Sequence, residues 1–393
     1  MRWLHGAGRV VFLIVLSVSP AKAATQVTEK QMEDWALSRS SVVGVPATGG
    51  RKGEPEFSRI GSVLAWADRL YVGQPDENQF RIVSTAGADI GSLGGPGDGP
   101  GDFRRLGAIG RIGDYVWVAD PVLNRVSFFD HTGKYTSSET VPRYLPDADG
   151  SLMPRAVFED GSVLARRIVG DNVSVGSQGT EQILRIVNGG EVVDTLVAFG
   201  APDAAVQIRD GVRGVANILR PVVDSPLWSG FPDGSGVLVV HRPARARVGA
   251  YYSRVLRLDV AADTVFDQWI SYRPVPVSRS FLRRYAEARL RELDSIVTDA
   301  GRFREAALES FAAPDLFPPV DRTYINVEGL VWLKLRTGET SFEWCILDGM
   351  GRPIGRFKVP DNTRLAAGDR EGVWLVETDQ WDVPYLVRYT FVK

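Results

Sequence analysis

Cysteine is almost absent from this sequence. Among 393 residues only Cys345 is present, so no intramolecular disulfide can form. Whatever compartment the chain occupies, its stability has to come from packing. Cys345 follows Trp344 in an apolar segment, and we expect it to be a buried and unreactive thiol rather than a nucleophile.

Metal-binding and nucleophile motifs are also missing. Histidine occurs three times, and the sequence has no His-x-x-x-His, Cys-x-x-Cys or Asp-x-Asp-x-Asp-Gly spacing, which disfavours zinc and EF-hand calcium sites. There is no Gly-x-Ser-x-Gly elbow, and the glycine-rich segment 94–101 contains no Gly-x-Gly-x-x-Gly and no Gly-Lys-Ser/Thr. We predict no catalytic residue from these motifs, no metal and no cofactor. Acid and base groups contributed by distant segments would not be visible in sequence spacing.

Long hydrophobic runs are absent after the N-terminus. The apolar run 10–18 is preceded by Arg2 and Arg9 and followed by Ala21-Lys22-Ala23. This order is typical of a signal peptide, so we predict that residues 1–23 are removed by cleavage near Ala23. The run is shorter than the roughly 20 residues that span a bilayer, and no cysteine follows to carry a lipid. We therefore expect a periplasmic or secreted protein without a membrane span.

Charge of one sign is not in excess. The formal net charge is −2 and the sequence pI is about 6.1, so nucleic acid is not an expected partner. Lysine is scarce, because 39 of the 46 basic residues are arginine. That bias weakens any interpretation that depends on where arginines fall.

An internal repeat is the strongest positive signal. The segment EPEFSRIGSVLAWADRLYVGQ (54–74) aligns without a gap with PGDFRRLGAIGRIGDYVWVAD (100–120), at an offset of 46 residues. The matched pairs include Phe57 with Phe103, Arg59 with Arg105, Gly61 with Gly107 and Tyr71 with Trp117. A period of 40 to 50 residues built from short strands is typical of β-propeller blades.

Weaker copies of the same unit follow. They span about 154–199, 227–270, 321–359 and 363–392, which makes six units. The sixth lacks an outermost strand, and residues 41–45 are placed to supply it, so that the two chain ends close one blade and no sheet edge stays open. We predict an all-β, six-bladed β-propeller over 41–393, preceded by an extension at 24–40.

One segment has helical rather than strand periodicity. Apolar residues recur every three or four positions over 282–297 and every four over 303–311, which predicts a two-helix insertion at about 279–312 between the fourth and fifth units. Their apolar stripes most simply cover one face of the ring. The alternative is a docking surface for a partner.

The second unit carries a recognisable motif. Its GGPGDGPGDF turn (94–103), followed by YVWVADPVLNRVSFFDHTGKY (115–135), resembles the NHL repeat, with its Gly-Pro-Gly-x-Phe turn, Val-x-Asp step and closing Asp-x-x-Gly. The chain is thus similar to NHL-like and TolB-like six-bladed propellers of exported bacterial proteins. Relatives of this kind include binding domains, sensors, lyases and hydrolases, so the resemblance implies a fold and leaves the function open.

Arginine recurs before the central strand in five of the six units. The positions are Arg59, Arg105, Arg155, Arg322 and Arg364, and Trp228 takes the equivalent place in the fourth unit. If these residues begin the innermost strands, they form a ring at one mouth of the channel that can bind a carboxylate, phosphate or sulfate. The alternative is that repeat ancestry or salt bridges between blades explain them.

Three functions remain open from the sequence. The first is an exported binding propeller that recognises a small molecule or a protein at the channel mouth, acting as a monomer. The second is a lyase or hydrolase with acid–base or metal residues in the channel, which requires inward carboxylates or histidines in mutual reach. The third is a structural partner in an envelope assembly, which requires an exposed apolar patch on the inserted helices.

Overall fold

A computed structural model describes most of the chain. The described residues are 25–27, 32–44, 55–145, 148–169, 179–187, 191–200, 205–209, 215–247, 250–294 and 313–393. The predicted signal peptide and the second predicted helix, around 303–311, lie outside them. The described part forms a six-bladed β-propeller whose blades, I to VI, each contain four antiparallel strands in one sheet.

The first three blades follow the chain. Blade I contains β3 (Val63–Trp66), β4 (Arg69–Gln74), β5 (Gln79–Ser84) and β6 (Asp89–Leu93). Blade II contains β7 (Ile109–Ile112), β8 (Tyr115–Asp120), β9 (Arg125–Asp130) and β10 (Tyr135–Thr140). Blade III contains β12 (Ala148–Val157), β13 (Val163–Val169), β14 (Thr180–Ile186) and β15 (Val192–Gly200), with the short β11 (Tyr144–Leu145) beside β12.

The last three blades complete the ring. Blade IV contains β18 (Leu227–Gly230), β19 (Val237–Arg247), β20 (Ala250–Leu258) and β21 (Thr264–Tyr272), and β1 (Thr25–Val27) adds to β21 in parallel. Blade V contains β22 (Val320–Ile325), β23 (Val331–Arg336), β24 (Phe342–Leu347) and β25 (Pro353–Phe357). Blade VI contains β26 (Arg364–Gly368), β27 (Gly372–Thr378), β28 (Pro384–Val392) and β2 (Ala36–Val43).

The predicted closure of the ring by both chain ends is confirmed. Strand β2, from the N-terminal region, pairs antiparallel with β28, so that Val43 lies opposite Leu386. Both side chains are buried, at 1 % and 0 % exposure. The closing strand begins at Ala36 and therefore includes residues that the sequence placed in the extension.

The hydrophobic cores lie between blades rather than inside one layer. Strand β8 illustrates the cause, because Val116, Trp117 and Val118 are all 1 % exposed or less although they point to alternating faces. One face of blade II packs with Leu64 and Tyr71 of blade I, and the other packs with blade III. Comparable clusters join every other pair of neighbouring blades. A central strand covered on both sides needs a continuous apolar run.

Aspartates close the hairpins, and this explains the repeated Asp-x-x-Gly. In the turn between β9 and β10, Asp130 Oδ1 accepts hydrogen bonds from the backbone N of Thr132 at 2.8 Å and of Lys134 at 3.1 Å. Asp348 binds the backbone of its own turn in the same way. Such turns satisfy backbone donors that the ladder leaves free. These carboxylates are therefore engaged in structure.

Two elements depart from the plain repeat. A separate hairpin, β16 (Ala205–Arg209) with β17 (Val215–Leu219), lies between blades III and IV and was not predicted. Helix α1 (Arg279–Asp294) confirms a helical insertion between blades IV and V. Its apolar stripe is packed, since Ala286 and Leu290 are 0 % and 3 % exposed and Phe281 contacts Phe317 edge to face at 4.9 Å.

Adjacent valines on β2 provide a test of ring closure. We expect Val43→Asp to lower the free energy of unfolding by roughly 3 kcal/mol or more, because it places an uncompensated charge in the core between blades VI and I. Val42→Asp is the matched control, because the Val42 side chain is 41 % exposed, and we expect a change within about 0.5 kcal/mol. Urea unfolding measures both variants. Equal effects would contradict the closing role of β2.

Candidate functional site

A cavity occupies the centre of the ring. Its volume is about 460 Å³, within the range of small-molecule sites. All six blades contribute, mainly through their innermost strands. The lining residues are Gly61, Ser62, Val63, Leu64, Ala108, Ile109, Trp117, Arg155, Trp228, Ser229, Gly230, Pro232, Thr323, Tyr324, Ile325, Arg364, Leu365 and Ala366.

A turn of blade IV lies across the channel at one end of the innermost strands. The carbonyl oxygen of Pro232, which follows β18, accepts a hydrogen bond from the backbone N of Arg111 in blade II at 2.7 Å. Gly234, in the same turn, accepts one from the backbone N of Glu159 in blade III at 3.2 Å. Blades II and IV are not neighbours, so this turn bridges the channel in front of blade III. The cavity is therefore bounded on that side by backbone.

Arg155 of blade III enters the cavity without a carboxylate partner among the described residues. Its Nη2 lies 4.0 Å from Met153 Sδ, and its Nε is buried without a hydrogen-bond partner. Burial lowers the pKa of this guanidinium, and the positive charge of Arg166 lowers it further, while Glu181 acts in the opposite direction. The side chain remains cationic at any physiological pH. It is a half-buried cation with donor capacity to spare.

Arg364 of blade VI also lines the cavity. Its Nη2 donates to the carbonyl oxygen of Ile60 at 2.7 Å and its Nη1 to that of Gly61 at 3.4 Å, which ties blade VI to blade I. Burial lowers the pKa of the Arg364 guanidinium, and the nearby charge of Arg322 lowers it further. Carbonyl oxygens satisfy some of its five donors but do not neutralise its charge.

Trp228 is fixed by a carboxylate beside the cavity. Its indole Nε1 donates to Glu181 Oε1 at 2.8 Å, and Arg166 forms a forked pair with the same carboxylate at 2.8 and 3.1 Å. Glu181 is thus occupied by Arg166 and Trp228 and does not pair with Arg155. The result is an aromatic wall held in one orientation next to an unneutralised guanidinium.

The other three predicted arginines lie away from the cavity lining. Arg59 pairs with Asp76 at 2.7 Å on the surface, where both side chains are more than half exposed. Arg105 and Arg322 are exposed, and each contributes to the pKa of a cavity arginine, Arg105 to that of Arg155 and Arg322 to that of Arg364. The structure therefore brings Arg155, Arg364 and Trp228 to one cavity, and places two further charges close to it.

Hairpin length explains why Arg59 and Arg105 lie outside the cavity lining. Counting back from the central strand assumes equal turns, but β3 and β4 are joined by two residues and β12 and β13 by five. Arg59 consequently precedes Leu64, the partner of Tyr71, by five residues. Arg155 precedes Ala156, the partner of Leu164, by one. Of the five arginines, Arg364 is the one that begins an innermost strand.

Sequence reasoning missed Trp117 as a site residue. It is 1 % exposed and lines the cavity, and its indole Nε1 has no hydrogen-bond partner. The indole ring of Trp117 reaches the cavity because it passes over Gly110, where a Cβ would lie only 2.4 Å from Trp117 Cζ2. The sequence signal for this arrangement is a glycine, Gly110, at the position that pairs with a large aromatic residue, Trp117.

Acid–base groups are found elsewhere in the fold. The cavity lining includes no carboxylate and no imidazole among the described residues. His131 lies in the exposed β9–β10 turn, and His241 lies on β19, the second strand of blade IV. Cys345 is fully buried, its Sγ lies 3.4 Å from Met32 Sδ, and burial raises the pKa of the thiol to about 12. Within the described part, no three His, Cys, Asp or Glu side chains converge as a metal site would require.

Comparisons with known proteins give distant structural matches. No family model and no curated protein matches this chain. A solved structure described as an exported protein of Bacteroides fragilis is 10 % identical, with 94 % of this chain and 100 % of that one covered at a TM-score of 0.47. A DUF4221 member from Bacteroides vulgatus is 11 % identical, with 92 % and 99 % covered at 0.43. A streptogramin B lyase is 9 % identical, with 91 % and 98 % covered at 0.37. All these TM-scores lie below 0.5, so no residue role is carried over.

Among the residues that the structure describes, no helix has the length and apolar character needed to cross a bilayer.

The lack of a partner for Arg155 has a thermodynamic consequence. We expect Arg155→Met to raise the melting temperature in a buffer without multivalent or organic anions, because it removes a desolvated charge and fills the same space with apolar atoms, a gain of about 1 kcal/mol. Arg254→Met is the matched control, because Arg254 forms a forked pair with Asp267 at 2.8 and 2.7 Å. That variant should lower the melting temperature. A lower value for Arg155→Met as well would indicate a structural role for Arg155.

Proposed function

We propose that this chain is an exported propeller that binds an anionic ligand in its central cavity. One observation carries the proposal, namely that Arg155 and Arg364 line the cavity as half-buried cations while the described lining contains no carboxylate to balance them. An uncompensated buried charge is costly, so it persists where a ligand of opposite charge repays the cost. Guanidinium groups bind carboxylates, sulfates and phosphates through forked, charge-assisted hydrogen bonds.

Binding is favoured over catalysis by the chemistry of the lining. A lyase or hydrolase needs a positioned acid, base, nucleophile or metal. The described lining offers arginine, tryptophan, hydroxyl groups and apolar side chains, which orient a ligand but do not exchange protons near neutral pH. A docking role for the helical insertion receives less support. The sequence left the role of its apolar stripe undecided, and in the structure the stripe of α1 is packed against the propeller.

The proposal also includes export of the protein and its descent from NHL-like propellers. The sequence order at residues 1–23 supports removal of a signal peptide near Ala23 and a periplasmic or extracellular location. The NHL-like second unit supports descent from a six-bladed propeller with that repeat. In it, buried Asp120 binds the backbone N of Arg104 at 2.7 Å and of Arg105 at 3.2 Å, which gives the motif aspartate a structural role.

Anion binding is tested by thermal shift at constant ionic strength. We expect sulfate, phosphate or small carboxylates to raise the melting temperature of residues 24–393, and neutral sugars and choline to leave it unchanged. Arg155→Gln should abolish the ligand-dependent part of the shift. Arg352→Gln, which alters a 75 % exposed side chain of a blade V turn, should keep it. Comparison of the two variants also corrects for the general stabilisation that sulfate gives to any protein. An unaltered ligand-dependent shift of the melting temperature in Arg155→Gln would contradict the proposal.

The exposed arginines should act on the rate of binding. We expect Arg105→Gln and Arg322→Gln to slow association several-fold at low salt with little change in dissociation, because charges outside the contact steer an anion without touching it. Arg59→Gln is the control, since Arg59 is already paired with Asp76. Stopped-flow tryptophan fluorescence suits the measurement because Trp117 and Trp228 line the cavity. Effects confined to dissociation would instead place these arginines in contact with the ligand.

A further inference from the structure

The two cavity arginines lie on opposite sides of the ring. The innermost strands contact one another in chain order, β3 with β7, β7 with β12, β12 with β18, β18 with β22 and β26 with β3. The core between blades V and VI completes the circle. Arg155 belongs to blade III and Arg364 to blade VI, three steps apart in a ring of six. Their strands therefore stand on opposite sides of the cavity that both side chains line, with the Arg364 guanidinium held against the start of blade I.

The surface between the arginines is apolar or aromatic. Blade I contributes Val63 and Leu64, and blade II contributes Ile109 and Trp117. On the other side lie Trp228 of blade IV and Tyr324 and Ile325 of blade V. Three hydroxyl groups lie in this region. Ser229 Oγ and Thr323 Oγ1 are 3.3 Å apart, and Tyr324 Oη accepts from the backbone N of Gly368 at 3.3 Å. The middle of the cavity therefore offers mainly apolar and aromatic contact area, with a few hydroxyl groups.

Unused donors are found near the Arg155 side. Arg155 Nε and Trp117 Nε1 are both buried and unpartnered, and both residues line the cavity. A buried donor without a partner costs free energy, and an anion that accepts from it removes that cost. The Arg364 side is different, because two backbone carbonyls of blade I hold that guanidinium in place. One end thus resembles an open acceptor site and the other a fixed positive charge.

We propose that the ligand carries two anionic groups separated by a short apolar or aromatic spacer. One anionic group meets Arg155 and the other meets Arg364, while the spacer lies against Trp117, Trp228 and Tyr324. This inference rests on the proposed function and adds the chemical class of the ligand. A ligand with one anionic group would pair with one guanidinium and leave the other without an anionic hydrogen-bond partner.

Affinity for a matched series of acids tests the inference. Isothermal titration calorimetry compares α,ω-dicarboxylates from malonate to suberate, and terephthalate, with monocarboxylates of equal carbon number and benzoate. We expect one diacid length to bind at least about tenfold more tightly than its matched monoacid, which corresponds to about 1.4 kcal/mol, with one molecule per chain. A parallel series of alkyl phosphonates and diphosphonates distinguishes carboxylate from phosphonate groups.

Variants separate the two arginines. Arg155→Gln and Arg364→Gln should each reduce the affinity for the best diacid toward that for its monoacid, because each removes one positive charge. Arg155→Gln is the decisive variant, because the Arg155 side chain donates no hydrogen bond to the backbone in the described structure and its loss leaves the blade contacts intact. Arg352→Gln should retain the full preference for diacids.

The outcomes are distinct. Equal affinity for diacids and monoacids, or two independent monoacid sites per chain with no preferred spacing, would overturn the dianion inference and leave anion binding standing. Absence of binding for every carboxylate and phosphonate would overturn both. A preferred spacing that is lost in Arg155→Gln supports the inference in either series.

Discussion

Burial of each sheet on both faces is the interaction on which the structure depends. Tyr71, Trp117 and Trp332 lie on the second strands of three blades, and none is more than 1 % exposed. At about 25 cal/mol per Å², burial of such side chains contributes several kcal/mol each, before the entropy of ordering is subtracted. With Cys345 the sole cysteine, nothing covalent replaces this packing. The closing pair β2–β28 adds to this packing, because it ties the N-terminal strand to blade VI and places Val43 in the core between blades VI and I.

The same constraint creates the cavity. Six sheets packed face to face around an axis bring six strand edges together, and flat edges cannot fill the centre. The backbone of β18 and its turn bridges part of that space through Pro232, and side chains fill more of it. The space that remains, about 460 Å³, is therefore a result of the architecture. Its chemistry is set separately, by the residues at positions that packing between blades does not fix.

Much of the fold could be predicted from sequence, and less of the site. The offset of 46 residues and the paired chain ends predict the ring, because every blade needs the same strand pattern. Counting back from the central strands located Arg155 and Arg364. It placed Arg59 wrongly because the hairpins differ in length, and the pairing register of two strands cannot be derived from sequence spacing alone. Trp117 resembled an ordinary core residue. The hairpin β16–β17 and the crossing turn at Pro232 follow from tertiary contacts that no local pattern reports.

Arginine is common in this chain, but within its described residues other half-buried arginines have oxygen partners that Arg155 lacks. Arg166, Arg254 and Arg388 each meet a carboxylate at 2.8 Å or less. Arg242 donates to the carbonyl oxygens of Val223 and Ser225, as Arg364 does to those of blade I, which is a packing role shared between segments. In the described part of the chain, Arg155 has neither kind of partner, although Glu181 lies close enough to influence it. Glu181 is instead bound to Arg166 and Trp228, so the fold holds a counter-charge beside Arg155 and still leaves Arg155 free for an acceptor from the cavity.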